Sequence, residues 1–133
     1  MASTYWYRSA LDLVTARATL QEAMKSLGVT RFLPVEDRFT GSDDPMEAHR
    51  RMPDFGAQLS NFGIGRQGQM PKNSMVHLRL YSEPTGTTVA SGIGITSGFG
   101  AAKKEAQFHQ GFLQAWQQLD SSLTTIDHPG YLM

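Results

Sequence analysis

The stretch MVHLRLYSEPTGTTVASGIGITS, residues 75–97, sets two alternating apolar and polar runs on either side of SEPTG. Alternation with a period of two marks a strand with one face in a core, and the Pro-Thr-Gly tip supplies a turn, so the segment predicts a β-hairpin. A turn from Glu83 to Gly86 sets Leu80 opposite Val89, Leu78 opposite Ser91 and Val76 opposite Ile93, which is the predicted buried face. The other face then carries Met75, His77, Arg79 and Tyr81 across from Gly94, Gly92, Ala90 and Thr88. A basic and aromatic row lies beside a nearly bare one.

Helical spacing brackets this hairpin. Residues 101–121 place Phe108, Phe112, Ala115 and Leu119 on one stripe with Trp116 beside it. Residues 9–27 place apolar side chains at 13, 16, 20, 24 and 27, with Ser9 read as the N-cap, Asp12 as an acid in the first turn, and Gly28 as the stop. VTRFLPVE, 29–36, reads as a short strand that Pro34 pushes to a sheet edge, and 55–64 as a further strand. Residues 37–54 and the tail from Ser122 read as irregular, with one or two helical turns expected after Asp44-Pro45. The sum is an α+β fold, an antiparallel sheet of three to four strands between an N-terminal helix (9–27) and a C-terminal helix (101–121), in the order α-β-β-β-α.

With 133 residues, 40% apolar and 18% charged, the chain reads as a single domain, 1–133, able to bury its own core. It has no cysteine, which removes disulfides and thiolate metal sites. MASTYWYRSALD lacks the pattern of a signal peptide and no run is long enough to span a bilayer, so a cytoplasmic protein without a membrane is expected. Twelve basic and twelve acidic residues balance, which speaks against a general polyanion binder.

Most catalytic and cofactor chemistry fails on context. GIGRQG, 63–68, spells a dinucleotide fingerprint, but QMPKN follows it where a helix is required. SGFGAAKK lacks the Gly-Lys-Ser/Thr of a phosphate loop, although glycines before a helix leave room for one phosphate near 98–102. His49, His77, His109 and His128 show no metal-ligand spacing. Glu36-Asp37 and Asp43-Asp44 read as solvated loop carboxylates, and no serine sits in a nucleophile elbow. The expectation is therefore no enzyme, no cofactor and no metal. Tyr5-Trp6-Tyr7 reads first as a terminal strand covering the core and second as a stacking surface for bases, and His49-Arg50-Arg51 as a solvated turn.

If the far face of the hairpin is open, Arg79, His77 and Tyr81 stand beside Ala90, Gly92 and Gly94, where a polymer backbone can come close. Lys103 and Lys104 extend this cationic surface, and Arg66 and Lys72 in the connector RQGQMPKN add to it. Leu78-Arg79-Leu80, Gly86, Gly92-Ile93-Gly94-Ile95-Thr96 and Lys103-Lys104-Glu105-Ala106 together resemble the strand, turn, strand and helix of the Rad-fifty-two-like single-strand annealing proteins. The helix start is also similar to that of double-stranded-RNA-binding domains.

The likeness covers about 40 residues, 76–116, and implies the α-β-β-β-α core, backbone contact with nucleic acid and rings or filaments of subunits. It differs in Gln114, Gln117 and Gln118, which stand where the annealing proteins place further cations, and in Gly111, one residue late. Those differences imply weaker electrostatic capture. Two functions are thus expected. The first is a non-enzymatic, homo-oligomeric protein of recombination or repair that binds and anneals single-stranded nucleic acid through Arg79, His77, Tyr81, Lys103, Lys104, Gly92, Gly94, Arg66 and Lys72. The alternative is a protein-interaction module, of the small phage or bacterial accessory kind, that uses the 75–97 face.

Overall fold

The computed structural model describes residues 4–28, 33–35, 54–61, 74–95 and 101–127. Its centre is the hairpin. β4 (Ser74–Glu83) and β5 (Gly86–Ile95) pair with Leu80 on Val89, Leu78 on Ser91 and Val76 on Ile93, the register that the alternation predicts. Gly86 closes the turn at φ +152°, and a Cβ there would lie on the carbonyl oxygen of Ser9 and 3.1 Å from the Ala10 Cα. The tip of the hairpin is therefore clamped against the end of another strand.

That strand is β1 (Thr4–Ser9), the Tyr-Trp-Tyr run at the start of the chain. It covers the core, as expected of this run, and it is an interior strand of the sheet. The sheet has six strands in the order β2-β3-β4-β5-β1-β6, with every neighbouring pair antiparallel. β2 (Leu33–Val35) forms one edge, where Pro34 costs no central ladder bond, and pairs with β3 (Phe55–Asn61). β6 (Thr124–Ile126) forms the other edge, beside β1.

The α+β class holds, but the expected order α-β-β-β-α and the three to four strands do not. A strand precedes the first helix, and another follows the second. β1 joins the sheet by pairing with β5, and β6 then pairs with β1, so both ends of the described chain enter the sheet. Three residues are too few to show alternation, so the tail carried no local strand signal.

α1 (Leu13–Ser26) begins later than the spacing suggested. Ser9 is still paired with Thr87 in the sheet, so the chain turns first, and Asp12 is the N-cap, its carboxylate accepting from the Thr15 amide at 2.8 Å. Ala16, Leu20, Ala23 and Met24 form its buried stripe, and Gly28 at φ +79° takes the left-handed position that ends it. α2 (Ala101–Leu119) buries Phe108, Phe112, Ala115 and Trp116. Leu119, expected on that stripe, is 54% exposed, because the helix stops there and Leu123 fills the core after the turn.

Both helices lie on one face of the sheet, over Tyr7, Phe55, Ala57, Val76, Leu78, Leu80 and Val89. Each fully buried large side chain in this layer contributes roughly 1.5–3 kcal/mol. Among the described residues, no helix is long and apolar enough to cross a membrane.

Replacing Gly86 with Ala tests the clamp. The methyl has nowhere to go without moving the β1–α1 connection, so Gly86→Ala is expected to cost about 2–3 kcal/mol in urea unfolding. Thr85, exposed beside it in the turn, should tolerate Ala with little change.

Candidate functional site

The face of the sheet away from the helices carries the row that the hairpin pattern set apart. Met75, His77, Arg79 and Tyr81 stand opposite Gly94, Gly92, Ala90 and Thr88, as expected. β1 extends that row, because Trp6 pairs with Ala90 and Arg8 with Thr88, and Ile126 of β6 lies beyond Trp6. Trp6, Tyr81 and Ala90 form a second, smaller core with Ile126 packed against it.

The expected open cationic surface is therefore corrected at its centre. Arg79 is only 6% exposed, with Tyr81, Thr88 and Trp6 buried around it. Its guanidinium carbon lies 5.8 Å from the centroid of the Trp6 ring, and the Trp6 and Tyr81 rings are 6.4 Å apart. A cation over an indole face is attracted by the ring quadrupole, by about 2 kcal/mol when both are desolvated. Sequence alternation placed Arg79 on this face but held no information about its depth.

Around this centre the face is half-open. Met75, His77, Arg8 and Gly92 are half-buried. Burial, followed by the charge of Arg79, lowers the pKa of His77, so near neutral pH it is an uncharged imidazole rather than a phosphate-binding cation.

Lys103 is exposed and Lys104 half-buried in the first turn of α2, but α2 packs against the opposite face of the sheet. Arg79 and the two lysines are thus not brought together. Arg66 and Lys72 lie outside the described residues, as do GIGRQG, His49-Arg50-Arg51, residues 98–100 and the carboxylate pairs Glu36-Asp37 and Asp43-Asp44. Gly94 is in β5, paired with Met75.

The helix-covered face holds two polar clusters that sequence reasoning missed. In the first, His109 of α2 is 3% exposed, its Nε2 is 2.9 Å from the Ser91 Oγ, and its Nδ1 is 2.9 Å from the Glu105 carbonyl oxygen. Because a carbonyl only accepts, Nδ1 carries the proton and Nε2 accepts from the Ser91 hydroxyl. Tyr5 stacks on the ring at 3.7 Å between centroids, and Phe108 meets it edge-on. Burial pushes the His109 pKa down to about 4, against the upward pull of the Glu105 and Ser91 contacts. Burial likewise raises the Tyr7 phenol, with a smaller contribution from Tyr5.

In the second cluster, Asp120 ends α2 and accepts from the Ser9 hydroxyl at 2.6 Å, the Trp116 indole N–H at 2.9 Å, and both the hydroxyl and the amide of Ser122 at 2.6 and 3.0 Å. These bonds tie the end of β1 to the end of α2. Desolvation pushes the carboxyl pKa up, but the four donors together hold it below the usual aspartate range.

Chemically, Ser91 and His109 form a nucleophile and a base with an orienting carbonyl, the pairing that the sequence showed no sign of. Ser91 is fully buried, however, and the pair joins β5 to α2 across the core, which is a packing role. Among the described residues no group of His, Asp and Glu is arranged to hold a metal. Compared with known protein families the chain matches no family model, and compared with curated proteins it matches none.

Asp120 gives a prediction with a definite sign. A carboxyl whose folded pKa is depressed stabilises the fold above the unfolded value, here 3.8, and loses that contribution as pH falls below it. Asp120→Asn is expected to cost about 1–2 kcal/mol at pH 7 in chemical unfolding. The loss between wild type and variant should shrink below pH ~4.

Proposed function

We propose that the protein is a non-enzymatic binding module whose contact is with protein, and that the contact uses the far face of the sheet, around Met75, His77, Arg8 and Ile126. The observation that carries this reading is the burial of Arg79, against the Trp6 ring and beside Tyr81. A phosphate backbone is held by cations that reach solvent, and on this face Arg79 is buried. Met75 and Ile126, only partly buried on this face, are instead apolar groups suited to a protein-protein contact, which is depleted in Lys and Glu.

The balanced charge of the chain and the exposed glutamines of α2, Gln107, Gln110, Gln114, Gln117 and Gln118, support the same reading. The burial of Ser91 and His109 supports a non-enzymatic role, since a substrate has to reach its nucleophile. A second copy of the chain is the simplest partner for such a face, in an isologous dimer.

The annealing and single-strand-binding reading stands second, favoured by Lys103 exposed at the start of α2. The two separate in solution. The first predicts a light-scattering mass of at least twice the 14.7 kDa of the chain, reduced to one chain by Ile126→Asp, and no binding of labelled single-stranded DNA in dilute buffer. DNA affinity that falls steeply with salt and is lost in Lys103→Ala/Lys104→Ala contradicts it in favour of the second.

A further inference from the structure

His109 is the one buried imidazole on the helix-covered face among the described residues, and it touches three elements at once. Its ring accepts from Ser91 of β5, donates to the Glu105 carbonyl of α2 and stacks on Tyr5 of β1. This pattern is complete only for the neutral ring. A second proton places N–H on both nitrogens and a charge in a site 3% exposed, and turns the Ser91 hydroxyl from donor to acceptor.

Among the described residues neither hydrogen-bond partner of the ring is a carboxylate. On α2 the Glu105 carboxyl lies one turn back, and burial raises its pKa toward the neutral form. β1 presents the Tyr5 phenol and β5 the uncharged Ser91. The ionisable residues of α1, Arg17, Glu22 and Lys25, are on its exposed side.

We propose that His109 is an acid-sensitive latch, whose protonation releases the first half of α2 and the Tyr5 end of β1 from β5 while the β4–β5 hairpin and α1 stay folded. The far end of α2 stays docked through Phe112, Trp116 and the Asp120 bonds, which keep their strength until a lower pH. Tyr5 is followed by Trp6, which belongs to the small core beside Arg79, so loosening β1 on one face disturbs that core on the other. The sign follows from linkage. With a folded pKa of about 4 against 6.5 unfolded, the latch is fully closed above pH 6.5 and weakens as pH falls toward 4. The inference concerns the chain alone and does not depend on its partner.

Hydrogen-deuterium exchange tests it, at pH 7.5 and about pH 5, with labelling times scaled for intrinsic exchange. Protection of 4–9 and 101–111 is expected to fall roughly tenfold more than that of 74–95 at the lower pH, and Ser91→Ala/His109→Phe is expected to remove the difference. Uniform loss, no loss, or the same loss in the double variant overturns the latch. Should that variant not fold, nuclear magnetic resonance of the wild-type His109 ring decides. Titration well below pH 6, in step with release of α2, supports the latch; titration near 6.5 with α2 docked overturns it.

Discussion

β1 has to satisfy two environments at once, because it is an interior strand buried on both faces. Tyr5 and Tyr7 turn toward α2, where Tyr5 stacks on His109 and Tyr7 lies 5.6 Å from Phe112, while Trp6 turns the other way onto Arg79 and Ile126. With a side-chain period of two, a one-residue slip would drive Trp6 into the helix layer and bring Tyr7 out beside Arg79. Register is thus fixed from both sides. Its far end is pinned as well, through Ser9 on Asp120, the Ala10 amide on the Ser122 hydroxyl and the Thr87 hydroxyl on the Leu11 carbonyl.

The polar groups of the helix-covered core around His109 and Asp120 are bonded locally, and this fixes how α2 packs. A neutral hydrogen bond such as Ser91 to His109 contributes about 1 kcal/mol net, but leaving either partner unsatisfied costs about 1–3 kcal/mol. The pair therefore specifies where α2 docks more than it stabilises the docked state. The same logic applies on the other face. A buried guanidinium against an indole face is well placed there, and is withdrawn from any ligand that approaches from solvent. Where the cations lie, rather than how many there are, decides whether such a face can hold a phosphate.

The hairpin was legible because its information is local. Val76, Leu78, Leu80 and Val89 alternate, and Gly86 fixes the turn, so register follows from residues within one short stretch. α2 was legible from Phe108, Phe112 and Trp116 for the same reason, and the edge position of β2 from Pro34. What stayed hidden depends on distant pairing. Nothing near Thr124 announces a strand, because its partner is β1 at the other end of the chain. Ser9 resembled an N-cap locally, and the sheet claimed it instead. Arg79 fell on the right face, yet its depth depends on Trp6, and Ser91 and His109 are 18 residues apart with no spacing that marks a pair.

The placement of β1 carries the whole account, and proton-proton nuclear Overhauser effects to its aromatic rings report it directly. The predicted result is contact of the Trp6 indole with the Arg79 side chain and the Ile126 methyls, together with contact of the Tyr7 ring with Phe112. Contact of the Trp6 indole with Phe112, and of Tyr7 with Arg79, would mean that β1 sits one residue out of register and that both faces of the sheet are other than described.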